Sequence, residues 1–102
     1  MNIVTDKEGY LTEPEDWNAT VAAELAKREG IELTDEHWEV INYMRGYLLQ
    51  HRIAPDVRHV MKHLKDTIGA GRNRVFELFP YGYVQQACKI AGMKRPRAWS
   101  TG

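Results

Sequence analysis

The chain has 102 residues, 43% of them apolar, with three tryptophans and one cysteine, the size and composition of one domain with a modest core. Its fourteen basic and fourteen acidic residues cancel; no run approaches the roughly 18 apolar residues of a membrane helix, and the N-terminus lacks the pattern of a signal peptide, so a cytoplasmic protein without a membrane role is expected. A single cysteine excludes an internal disulfide and a cysteine-rich zinc or iron–sulfur site, so any redox role requires a second molecule.

The charges are unevenly spread. Residues 1–50 hold eleven acids and four bases, and residues 51–102 hold three acids and ten bases. A basic second half favours an anionic partner unless the two halves neutralise each other on folding.

In chain order, Ile3 and Val4 precede the turn-forming Asp6-Lys7-Glu8-Gly9, and Tyr10-Leu11 follow, which predicts a short N-terminal β-hairpin. Thr12, Pro14 and Glu15 resemble a helix start, and Trp17, Val21, Ala22 and Leu25 follow at helical spacing, so a first helix is expected over 14–29, ended by Gly30. Thr34 with Asp35 and Glu36 begins a second, whose stripe of Trp38, Ile41, Met44 and Leu48 runs to about Gln50. After a break over 51–54, Pro55 is expected at the first position of a third helix. The stripe Val57, Val60, Met61, Leu64 and Ile68 then runs to Gly69.

Residues 69–74 read as a solvated basic connector; they lack the lysine and hydroxyl of a phosphate-binding loop. Val75 to Phe79 supply one or two helical turns before Pro80. Tyr81-Gly82 turns the chain, and a last helix is expected over 83–91, closed by Gly92. Val84, Ala87, Cys88 and Ala91 share its apolar face. The expected fold is therefore mostly α: a small helical bundle over residues 1–92 with a helix-turn-helix-like centre, followed by a flexible C-terminal arm over 93–102.

Three constellations could carry chemistry. Cys88 is either a buried small hydrophobe or a thiolate activated by Lys89 and, if the arm folds back, by Lys94, Arg95 and Arg97. His59 and His63 have the i, i+4 spacing of two metal ligands, but no third ligand stands at a recognisable interval, so no metal and no cofactor is expected. Arg58, Lys62 and Lys65 would face a nucleic acid if the central helices bound DNA, although any small helical domain contains such a pair. No nucleophile–base order or nucleotide-binding glycine pattern is present, which argues against a self-contained enzyme.

The segments Asp6 to Leu11, Asp16-Trp17, Leu33 to Trp38, Ile53-Ala54-Pro55 with Val57-Arg58, Leu78 to Gly82, and Gln86 to Gly92 together resemble the DsrC/TusE family of sulfur-relay proteins. The resemblance implies a mostly helical fold and a C-terminal arm that reaches into partners and carries sulfur on a next-to-last cysteine. It further implies service to sulfite reductase in the DsrC branch and to tRNA wobble-uridine thiolation in the TusE branch. Cys88 matches the family's upstream cysteine, whereas the carrier position falls on Trp99, and Tyr83 replaces a usual proline. Without a second cysteine the arm cannot close a disulfide or trisulfide. The expectation is a sulfur-relay protein with Cys88 as its only possible persulfide carrier and Arg95, Arg97 and Trp99 engaging relay or sulfite reductase partners. The alternative is a regulatory or adaptor relative that binds proteins or DNA without carrying sulfur.

Overall fold

The computed structural model describes residues 3–94. Its elements are a 3-10 turn over Pro14–Asp16, helices α1 (Ala19–Arg28), α2 (Asp35–His51), α3 (Val57–Ile68) and α4 (Arg74–Leu78), and a π-helix over Tyr83–Cys88. The mostly helical expectation holds.

The N-terminal hairpin does not. Among the described residues there is one isolated antiparallel bridge, between Thr5 and Leu11. The turn is held instead by Asp6, whose carboxylate accepts from the backbone N–H groups of Glu8 and Tyr10 at 2.9 and 3.0 Å. Beside this turn the two sides exchange backbone bonds from Asp6 N–H to the Tyr10 carbonyl at 2.8 Å and from Thr12 N–H to the Val4 carbonyl at 3.1 Å, and among the described residues the pairing does not extend into strands.

The first helix starts later than residue 14. Pro14 opens only the 3-10 turn, Trp17 is extended, and Asn18 caps α1 by accepting from Val21 N–H at 2.9 Å. Thr34 caps α2 as expected, and His37 occupies the position that glutamate takes in the usual capping box. Pro55 lies outside α3, where Asp56 is the cap and accepts from Arg58 N–H at 2.9 Å. The cap satisfies a free helical N–H directly, which a proline at the first position does not.

The core is continuous. Val21, Ala22, Leu25 and Ala26 of α1 join Val40, Ile41 and Met44 of α2, Val60 and Leu64 of α3, and Val75 and Leu78 of α4. Phe79, Tyr83, Val84, Ala87, Cys88 and Ile90 close it, so the last segment is a central element of the packing.

Candidate functional site

Cys88 ends the π-helix and is completely buried. A π-turn carries more residues per turn than an α-helix and occurs mostly as a short insertion, frequently at functional sites. Here it sets Cys88 against Tyr83, and the two side chains hydrogen-bond. Burial pushes the thiol pKa up to about 12, and the hydrogen bond with Tyr83 offsets only part of that. The phenol of Tyr83 is raised as well, first by burial and then by the nearby thiol. Its hydroxyl donates to the Pro55 carbonyl at 2.6 Å, so the turn between α2 and α3 is tied to the thiol's neighbour.

A thiol in this state is on the order of 10⁻⁵ ionised at pH 7, and the thiolate is the nucleophile. Lys89 does not activate it. Its ammonium reaches Glu29 Oε2 at 3.3 Å and lies 5.2 Å from the centre of the Tyr10 ring. Lys94 lines a shallow surface depression with Asp6, Tyr10 and Thr12. Arg95, Arg97 and Trp99 lie outside the described residues.

The segment around Cys88 is held from three sides. The Tyr10 hydroxyl donates to the Val84 carbonyl at 2.9 Å. Gln86 accepts from Tyr81 N–H at 3.0 Å and donates to Glu29 at 3.4 Å. Further on, Trp17 Nε1 donates to the Ile90 carbonyl at 2.9 Å, while Arg45 donates to the Ala91 carbonyl at 2.8 Å and stacks 4.0 Å over the Trp17 ring. These two carbonyls belong to the last helical turn, where no intrahelical donor remains. Trp17 and Arg45 thus anchor the turn over residues 90–92.

His37 performs a similar task at the Leu-Phe-Pro-Tyr-Gly segment. Its Nδ1 accepts from Thr34 N–H at 3.0 Å, and its Nε2 stands 2.8 Å from the Leu78 carbonyl. A carbonyl only accepts, so the network assigns the proton to Nε2. The ring meets Phe79 edge-on at 5.2 Å.

The remaining candidates are elsewhere. His63 hydrogen-bonds Glu39 at 2.8 Å and stacks on Tyr43, whereas His59 lies against Tyr47. Among the described residues no cluster is able to hold a metal ion. Arg58, Lys62 and Lys65 line one groove on α3, although Arg58 is paired with Asp56 and Lys62 with Asp66.

Comparison with known proteins shows the class to which this fold, with its lone buried thiol, belongs. The pattern of the DsrC-like protein family matches residues 1–98, and the chain belongs to that family. It is 44% identical over 97 residues to Sulfurtransferase TusE of Sodalis glossinidius, covering 92% of this chain and 90% of the relative. It is 39% identical over 99 residues to the Sulfurtransferase TusE homolog of Haemophilus influenzae, covering 94% and 91%. Among solved structures, the oxidized gamma-subunit of the dissimilatory sulfite reductase (DsrC) from Archaeoglobus fulgidus superposes with a TM-score of 0.88 at 36% identity, covering 95% of this chain and 91% of that one. Allochromatium vinosum DsrC gives 0.80 at 40% identity, covering 92% and 87%.

Proposed function

We propose that the protein serves a sulfur relay of the TusE and DsrC kind, as a body of residues 1–92 whose arm, residues 93–102, engages relay or sulfite reductase partners through Arg95, Arg97 and Trp99. The family match along almost the whole chain carries this reading. A cytoplasmic setting, which keeps a free thiol reduced, suits its one cysteine. Cys88 is the one thiol in the chain able to hold sulfane sulfur. In loading, the Cys88 thiolate attacks the outer sulfur of a donor persulfide. The donor's S–S bond breaks, the donor leaves as a thiolate, the Cys88 proton goes to solvent, and no net oxidation occurs. Because the thiol is buried and its pKa lies near 12, loading requires the Tyr83–Cys88 turn to open.

The burial of Cys88 favours a second reading, in which the chain docks to relay partners without carrying sulfur. Intact-mass measurement after exposure to a low-molecular-weight persulfide decides between them. A gain of one sulfur atom that disappears in Cys88→Ser supports carriage. An unmodified protein, under conditions that load a free-thiol peptide, leaves docking as the function.

A further inference from the structure

The apolar stripe of α3 is longer than the fold uses. Only Val60 and Leu64 are buried, Met61 is half-buried, and Ile68 is 43% exposed. Met61, Lys65 and Ile68 are spaced by four and three residues, so they lie along one edge of the helix. Beside that edge runs a surface groove of about 410 Å³ with Met61 and Ala70 among its apolar lining residues. Its charged rim is Arg58, Lys62, Lys65 and Arg72, and the one acid in it, Asp66, accepts from Lys62 at 2.7 Å.

We infer that this groove docks an acidic amphipathic helix of a partner protein. Leftover apolar residues at helical spacing suit a helix-in-groove contact, in which apolar anchors at i, i+4 and i+7 settle on Met61 and Ala70 in the groove and on Ile68 along the same helix edge outside it. Arg58 is paired with Asp56 and Lys62 with Asp66, which leaves Lys65 and Arg72 as the excess positive charge of the rim; that excess favours glutamate or aspartate on the flanks of the docked helix and disfavours a basic one. The chain's own C-terminal residues do not fit, because residues 93–102 contain Lys94, Arg95 and Arg97 and no acid. A nucleic acid strand would meet the rim but has no aliphatic side chain for Met61 and Ile68. The inference does not depend on whether Cys88 carries sulfur.

Fluorescence anisotropy with three probes on the full chain tests it. The first is a labelled helical peptide with leucines at i, i+4 and i+7 flanked by glutamates, the second its lysine counterpart, and the third oligo(U) RNA. The glutamate peptide is expected to bind saturably and more weakly as salt rises. The double variant Lys62→Glu/Lys65→Glu should weaken it by about tenfold or more, and Ile68→Ser should also weaken it, with the thermal midpoint of each variant little changed. Equal binding of the lysine peptide, tighter binding of oligo(U), or indifference to the charge reversal overturns the inference. So does a dimer of the protein alone that the charge reversal dissolves, since the groove would then be occupied by a second copy.

Discussion

Trp17 lies directly against Gly92. A Cβ built on Gly92 would fall 2.7 Å from Trp17 Cγ, and the glycine has φ +77°, where side chains are strained. Gly92→Ala therefore adds left-handed strain to an overpacked contact, and about 2–4 kcal/mol of stability should be lost. Urea unfolding followed by tryptophan emission measures it; a loss below about 0.5 kcal/mol would mean that Trp17 moves aside freely.

Trp17 and Arg45 should behave as a coupled pair. Trp17→Phe keeps most of the packing but removes the donor to Ile90, for about 1 kcal/mol, and Arg45→Ala removes a charged donor and the stacking, for about 1.5–3 kcal/mol. In the double variant the losses should fall short of additive. Hydrogen exchange at the Gly92 and Met93 amides should rise in each single variant by more than the global stability change requires. Exchange that follows global stability alone would show that the two side chains do not anchor this turn locally.

Alkali should destabilise the fold through two groups. The thiol of Cys88 moves from the usual 9.0 up to about 12, and the phenol of Tyr83 also moves up. The unfolded chain then loses these protons at a lower pH than the native chain does. The associated stability is fully present below the unfolded values and lost as pH rises towards the folded ones, by at most about 1.4 kcal/mol per pH unit for each group. A urea midpoint that stays level to about pH 8 and then falls from about pH 9 upward is expected, with a shallower fall in Cys88→Ala. An unchanged slope in that variant would mean that the thiol loses its proton at the same pH in the native and the unfolded chain.

Arg52 ends α2 in the left-handed region, φ 64°, while its N–H bonds Leu48. This is the position that glycine commonly takes at a helix end. Arg52→Gly should stabilise the protein by about 0.5–1 kcal/mol by removing the Cβ strain, less the greater freedom glycine has when unfolded. The thermal midpoint reads the sign.

Sequence patterns identified α2 well because Thr34, Asp35 and Glu36 act locally and its buried Ile41 and Met44 follow one period. They located α1 too early because Thr12 and Pro14 carry a helix signal that the chain uses for a single 3-10 turn, and the effective cap, Asn18, follows a tryptophan. They overestimated the buried stripe of α3, since periodicity marks a face without saying how far the neighbouring elements cover it. Cys88 was legible as a residue on an apolar face. The π-turn that sets it against Tyr83 was not, because nothing in Tyr83 to Cys88 distinguishes one extra residue per turn from an ordinary helix. Trp17, Arg45 and His37 were missed as anchors: each bonds a carbonyl 41 or more residues away, and a single sequence holds no record of such partners.

The bonds from Tyr10 to Val84 and from Trp17 to Ile90 span 74 and 73 residues. During synthesis, the surfaces of α1 and the N-terminal turn have no lid until residues 84–90 have left the ribosome. The α2–α3 pair can assemble from neighbouring sequence, but the final closure requires loops of high entropic cost. The segment over residues 83–90 therefore completes a surface made about 70 residues earlier, and a chain cut before residue 90 keeps an exposed apolar face rather than forming a smaller folded domain.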